Sequence, residues 1–478
     1  MARMLHRIAS TCFALAMLAA CSTTPLGVVA SVDAERDSGA RTNPAFLARG
    51  GGLYDNPAIE AYVNDIAARL LIHAELPEGY GAVQVGLLDT AVPNAYTVPG
   101  GGIYVSRGMV ALADNEAELA GAIAHEISHV TARHIARRRA AMEQFVSDIA
   151  KGVESGMRGG GSRARRIAIL EAGVQARIEE LSAFSRGQEL EADRLAAVLL
   201  EEAGYAPVAF ATLLRRIDAW QELTLREAGR DPLAEADADA GVPAIYPDMS
   251  VRVAALGGED AGDAPIDGAA RDRLMQLIDG VPFDDAYQGG YIRDGRYWHP
   301  ALGFAVDMPD GFLPTHDGSL LLTSARGTIR VHLIRDPAIS LESLAETIQG
   351  ADMRRDADRG FDTLSAMVTQ NVGDQPLVAA IRYVDLGEGA ILGMVLTMRG
   401  ADVETLGPRH AAMADSIERV DPATMPPRRR YVTRRAAQGE TLATLTAPDM
   451  QGEAMLRLLN DLAPGEAPLP GNWVKSLR

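Results

Sequence analysis

The segment HEISHVTARH, His125 to His134, constrains this chain more than any other. It holds three of the nine histidines within ten residues. His125 and His129 are four residues apart, and at that spacing two side chains stand one above the other on a single helix face. The flanking sequence predicts the helix. Asn115 followed by Glu118 is a capping signature, and Leu119, Ile123, Ile127 and Val130 form one apolar stripe. Two imidazoles converging from one face could hold a zinc ion at ~2.0–2.1 Å each. Glu126 lies one step round the helix, beside such an ion rather than on it, where a carboxylate could move a proton.

A catalytic zinc needs a third protein ligand and one position open to water. His134 is the nearest histidine. On a continuous helix, at about 100° per residue, it lies ~140° round from His129 and points elsewhere. The metzincin spacing would need glycine at 132 and histidine at 135, where the chain has Ala132 and Ile135. The third ligand is therefore expected from another segment, with His134 packing or hydrogen-bonding behind the site. GQELEADR, on a second predicted helix, places Glu189 and Asp193 on one face and Glu191 on the opposite one. One carboxylate of such a pair could bind the metal while the other accepts the free N–H of a ligating histidine and fixes its tautomer.

NAYTVPGGGIYVSRGMVALADNEAELAGAIAHEISHVTARH, followed by SRGQELEAD, resembles the HtpX-like zinc metalloprotease family, the HExxH…ExxxD gluzincins of the CAAX prenyl endopeptidase superfamily, in its BepA-like periplasmic lipoprotein branch. The resemblance covers roughly Asn56 to Leu256. It implies one Zn²⁺ per chain held by His125, His129 and Glu189, with Glu126 as general base and Asp193 as the carboxylate behind a ligating histidine. The family's NA[YF]xxPGG segment matches Asn94 to Gly101. It implies an edge strand that pairs with extended substrate backbone. The candidates are Asn94–Val98, with Asn94, Ala95 and Tyr96, and Gly102–Ser106, with Gly102, Ile103 and Tyr104. Periplasmic members often carry a His-Pro pair after the second helix, where this chain has Tyr246-Pro247. The Tyr246 phenol could instead donate a hydrogen bond to the oxyanion of a tetrahedral intermediate; a plain packed tyrosine is the other reading.

The chain begins MARMLHRIASTCFALAMLAACSTTPLG. Arg3, His6 and Arg7 precede an apolar run from Ile8 to Ala20, the pattern of a secretory signal peptide over residues 1–20. Leu18-Ala19-Ala20-Cys21 resembles the lipobox of bacterial lipoproteins, which implies cleavage before Cys21 and acylation of that residue; ordinary cleavage is the alternative. Ser22 next, rather than Asp, implies a periplasmic protein lipid-anchored to the outer membrane of a Gram-negative bacterium. Both cysteines, Cys12 and Cys21, fall in this region, so the exported chain is expected to be stable without disulfides.

The remaining organisation reads as α+β. Residues 21–52 are expected to be a tether and 53–257 the zinc metalloprotease domain, mainly helical with a small edge sheet. That sheet comes from GAVQVGLLD, NAYTV and GIYVS, the last two joined at Pro99-Gly100-Gly101. Residues 258–296 read as a linker and 297–420 as an accessory domain with a mainly antiparallel sheet. In residues 430–478, Gly439-Glu440-Thr441-Leu442, Leu459-Asn460 and Leu469-Pro470-Gly471 loosely resemble a LysM module, which would bind peptidoglycan; a packed C-terminal segment is the other reading. The glycine-rich 152–163 run is expected to be mobile and the acidic 226–243 run an exposed loop, and either could cover the cleft.

A formal charge of −18 with no basic stripe excludes nucleic acid as a partner. The residues and the resemblance together predict a zinc metalloendopeptidase. Its substrates, unfolded or misassembled cell-envelope proteins, come from the resemblance alone. The rival is a non-proteolytic zinc-containing chaperone or assembly lipoprotein that binds envelope proteins or peptidoglycan through residues 297–420 and the tail.

Overall fold

The computed structural model describes residues 29–49, 51–158, 163–227, 249–256, 267–287, 289–316, 320–324, 326–348, 354–358, 360–372, 375–445 and 453–478. The signal-peptide and Cys21 expectations, and those for Tyr246 and most of the 226–243 loop, lie outside these residues.

In chain order the first unit contains α1 (Val32–Arg49), α2 (Pro57–Leu71), β1 (Val85–Leu88), β2 (Ala95–Val98), β3 (Gly102–Ser106) and α3 (Arg107–Leu112). Then come α4 (Glu116–Thr131), which carries HEISH, α5 (His134–Arg158), α6 (Arg163–Glu202), α7 (Val208–Glu227), α8 (Met249–Ala255) and α9 (Gly268–Ile278). Local chemistry sets the helix starts. Asn56 accepts the Ile59 N–H with Pro57 in the first turn, and Asn115 accepts the Glu118 N–H while the Glu118 carboxylate accepts that of Asp114. The α4 stripe Leu119, Ile123, Ile127 and Val130 is buried among Ile59, Ile66 and Leu70 of α2, Ile103 and Val105 of β3, and Leu213 and Leu214 of α7. Burying each such aliphatic side chain stabilises the fold by about 1.5–3 kcal/mol, so α4 is the spine of this unit.

The small sheet has the order β1-β3-β2, with β3 parallel to β1 and antiparallel to β2. Gly100 and Gly101 turn the β2–β3 hairpin at φ 87° and 82°, backbone that glycine adopts without steric cost. Central β3 is hydrogen-bonded on both sides, so Gly102, Ile103 and Tyr104 cannot offer a free edge to a substrate. Only β2 lies at the rim on that side.

Residues 32–49 are not a tether but a helix docked on the outer face of this sheet. The segment is polar and contains Pro44, so its order comes from tertiary contacts that a local reading does not contain. Glu35 is buried and accepts hydrogen bonds from the Tyr80 hydroxyl and the Arg133 guanidinium. Gly39 lies so close to the hairpin that a Cβ there would stand 2.0 Å from the Pro99 carbonyl oxygen. The Phe46 ring packs 5.5 Å from the rings of both Tyr96 and Tyr104.

Two further boundaries move. α5 runs through Gly152 and Gly156 to Arg158, so the glycine-rich run begins as helix; glycine's cost of ~1 kcal/mol per residue does not end a long helix packed along α6. The 258–296 linker contains α9, whose Leu274, Met275 and Ile278 are buried in the first core, and strands begin at Ala286.

The second unit is a seven-stranded antiparallel sheet beside a five-stranded one, around a separate apolar core. Strands Phe361–Val372, Gln375–Gly387 and Ala390–Arg399 pair in sequence order, and the helix Val403–Asp415 packs on this sheet. The tail pairs Tyr431–Arg435 with Trp473–Leu477, antiparallel, around helices Leu442–Leu445 and Glu453–Leu459. It is docked on the first unit: Tyr431, Met455 and Leu477 join that core. Buried Lys475 donates to the carbonyls of Ala111, Leu112 and Ala113 at 2.9, 3.2 and 2.6 Å, satisfying the end of α3. Among the described residues no helix is long and apolar enough to cross a membrane.

Candidate metal centre

α4 and α6 pack face to face and bring together His125, His129 and Glu189. The His125 and His129 Nε2 atoms are 3.0 Å apart, and Glu189 Oε2 lies 3.3 Å from the first and 3.6 Å from the second. A tetrahedral ion with bonds of ~2.0–2.1 Å separates its ligands by about 3.3 Å, so two imidazoles and one carboxylate stand at zinc spacing. Three protein donors leave a fourth position for water. Among the described residues this is the one such cluster of His, Cys, Asp or Glu donors.

The charges favour a cation. Burial works against the Glu189 anion, but His125 and His129 outweigh it and hold its carboxyl well below the usual carboxylate range. Burial likewise opposes a charged His125, yet Asp193 and Glu189 push that imidazole up to about 9. A group that binds a proton this firmly in the metal-free state exchanges it for the metal.

Each histidine of the cluster has its own support. His125 Nδ1 lies 2.9 Å from Asp193 Oδ1, an ion-pair contact that falls short of hydrogen-bond alignment. Asp193 is fully buried and is clamped by Arg252, whose Nε and Nη2 donate to its two oxygens at 2.9 and 2.8 Å. Nothing in the local sequence around Arg252 announces this contact. Behind His129 stands His134, with the two Nδ1 atoms 2.7 Å apart. Its Nε2 lies 3.2 Å from Glu191 Oε2, to which Arg137 also donates at 3.0 Å. Burial, then the neighbouring His129, pushes His134 down to about 4, so it is neutral at pH 7. His134 thus stands behind the metal donors and not among them, as expected, but the continuous-helix geometry does not apply. α4 ends at Thr131, Arg133 takes φ 54°, and α5 starts on a new axis that returns His134 to the site.

Glu126 is buried at the cleft wall. The Thr97 hydroxyl lies 2.7 Å from its Oε2 and 2.9 Å from its carbonyl oxygen, fixing the carboxylate against β2. Sequence reasoning missed Thr97, although the alternation of NAYTV puts Ala95 and Thr97 on one face and Tyr96 on the other. The cleft measures about 460 Å³. The β2 side, from Asn94 to Thr97, lines it together with apolar Phe210 and Leu214, and the Phe210 ring lies 5.7 Å from that of His125. Asn94 donates to the Tyr96 hydroxyl at 2.8 Å, which ties the start of the rim strand together.

The sequence profile of peptidase family M48 matches residues 57–260. The beta-barrel assembly-enhancing protease of Escherichia coli (strain K12) is 29% identical over 177 residues, 34% of this chain and 34% of that protein. The Yersinia pestis protein of the same name is 29% identical over 201 residues, 41% of this chain and 40% of that protein. The mitochondrial metalloendopeptidase OMA1 of Schizosaccharomyces pombe is 34% identical over 136 residues, 28% of this chain and 38% of that protein. The matched region therefore spans well under half the length of these relatives.

Proposed function

Residues 57–260 are a peptidase family M48 domain, and from that premise we propose that the chain is a zinc-dependent endopeptidase acting on unfolded or misassembled cell-envelope proteins. The observation that carries the reading is the three-donor cluster at zinc spacing, with Glu126 beside it and the rim strand β2 forming one wall of the same cleft. When bound, zinc supplies Lewis-acid chemistry, polarising a carbonyl and acidifying a water. His125, His129 and Glu189 would hold the ion. β2 offers backbone groups to an extended peptide, Glu126 takes the proton from the attacking water and returns it to the leaving amine, and Thr97 keeps that carboxylate in place.

The name of the bacterial relatives supports an envelope substrate. Further parts of the proposal rest on sequence resemblance: lipid anchoring at Cys21, a periplasmic position at the outer membrane, and an oxyanion contact from Tyr246. Unchanged peptide turnover in Tyr246→Phe sinks the last of these. The strand–helix–helix–strand order of the tail supports a LysM-like, peptidoglycan-binding role; failure of the full chain to sediment with purified peptidoglycan ends that idea.

Digestion of an unfolded protein such as casein, with zinc content measured alongside, tests the main reading. Wild type should cleave and lose activity on chelation, while Glu126→Gln should keep zinc and not cleave. Equal inactivity of both zinc-loaded forms favours the rival, a zinc-containing assembly or chaperone lipoprotein working through its two C-terminal units.

A further inference from the structure

We infer that His134, backed by Glu191, is a positioning residue that fixes the tautomer and ring orientation of the zinc ligand His129. The inference rests on the reading of His125, His129 and Glu189 as the zinc ligands.

Valence fixes the direction of every hydrogen in the chain of contacts. A ligating His129 presents the lone pair of Nε2, so its remaining proton sits on Nδ1. That Nδ1–H faces His134 Nδ1 at 2.7 Å, which must then be the acceptor. A neutral imidazole accepting at Nδ1 carries its own proton on Nε2, and His134 Nε2 faces Glu191 Oε2 at 3.2 Å. A carboxylate can only accept, so Glu191 sets the order of both imidazoles from the far end. The opposite tautomer of His134 would set two N–H groups against each other at 2.7 Å and leave Glu191 facing a lone pair.

The two ligating histidines are thus supported differently by the same helix. Asp193 acts on His125 directly, whereas Glu191 acts on His129 through a second ring. α6 holds His134 at two points: Glu191 faces the ring at Nε2, and Gln188, itself buried, donates to the backbone carbonyl at 3.1 Å. The kink at Arg133 makes this possible, and Glu35 of α1 pairs with the Arg133 guanidinium there. Glu191, which helical spacing sets on the face away from the metal, acquires a use.

The test measures the zinc dissociation constant of the full-length chain by chelator competition at pH 7, together with melting of the metal-free form. His134→Phe keeps the ring volume but removes the acceptor, and should weaken zinc binding roughly 10–100-fold, the range found when such supporting contacts are lost. His134→Asn places an amide oxygen where Nδ1 stands and should restore affinity to within about threefold of wild type. Glu191→Leu should weaken it by a smaller factor, roughly 3–10-fold. A merely structural role would weaken binding equally in the Phe and Asn variants, and that result overturns the inference, as does unchanged affinity in Phe. If His134→Phe does not fold, Glu191→Leu decides: Glu191 is 38% exposed at its side chain, and unchanged affinity there overturns the inference while weaker binding upholds it. A wild-type chain that takes up no zinc overturns the underlying metal reading and this inference with it, a pattern distinct from tight binding by wild type and variants alike.

Discussion

The α4–α6 interface and the seven-stranded sheet are both buried, yet their interiors are built on opposite rules. Between the helices lie His125, His134, Gln188, Glu189 and Asp193, all buried and all ionisable or polar. The sheet core is made from Ile329, Val331, Val384, Leu392, Met394 and Leu396. Burying an ionised group without a partner costs several kcal/mol, and even a paired one stabilises little compared with apolar packing. The first unit buries other ion pairs too, such as Arg107 with Asp285 and Arg216 with Glu118; what sets the α4–α6 interface apart is that its buried groups include three donors at zinc spacing beside the cleft.

The sharpest way to break the comparison is at Glu126. If Glu126 is the general base proposed above, Glu126→Gln removes that base but no proposed metal ligand, so peptide hydrolysis should fall by roughly 10²–10⁴-fold while zinc content and melting temperature stay at wild-type values. Loss of zinc along with activity would make Glu126 part of the metal's support and not the base.

Next in size are substitutions that remove one group from each interior. Arg252→Ala strands the fully buried Asp193 carboxylate and should destabilise the first unit by about 3–5 kcal/mol, with weakened zinc binding. Leu392→Ala opens a cavity in the sheet and should cost a comparable ~2–5 kcal/mol. The readout that separates them is turnover of a short peptide at a temperature where both variants are folded. Only Arg252→Ala should lower it, and a matching loss in Leu392→Ala would mean that the sheet shapes the cleft directly.

The pH response should also split between the two interiors of the metal-free chain. His125 is raised from 6.5 to about 9, so its contribution to stability is complete below about pH 6.5 and is lost as pH rises through 9. Burial lowers His410 and His332 in the second unit. Their contribution is complete above about pH 6.5 and is lost as pH falls through their folded values. Zinc affinity should rise with pH up to about 9, as the metal displaces the His125 proton. Zinc affinity flat between pH 6.5 and 9 would show that His125 holds no such proton.

The parts of this arrangement legible in the sequence are those written as periodicity. His125 with His129, and Glu189 with Asp193, share faces at a spacing of four, and the hairpin before them is marked by Gly100 and Gly101. What was not legible depends on contacts distant in the chain or on a break in a regular element. Arg252 is one arginine among many until folding carries it to Asp193. That His134 hydrogen-bonds behind the site is legible; that its partner is His129 is not, because a non-glycine residue with positive φ at Arg133 is not signalled by its side chain; it is held by Glu35 from α1. α1 gives no local helix signal because a polar helix carries no apolar stripe; what holds it is the ion pair of buried Glu35 with Arg133 and a close glycine contact.

The smallest effect separates holding the metal from holding the base. Thr97 touches Glu126 but none of the three zinc donors, whereas His134 touches His129 but not Glu126. Thr97→Val keeps the shape of the rim strand and removes the hydroxyl that lies 2.7 Å from Glu126 Oε2. The lost hydrogen bond is worth about 0.5–1.5 kcal/mol, so kcat should fall by roughly 2–10-fold. KM for a short peptide should change little, since β2 keeps its backbone groups, and zinc affinity should be that of wild type. A Thr97→Val chain that loses zinc, or a His134→Phe chain that keeps its zinc and loses only kcat, would show that the two supports are not separate.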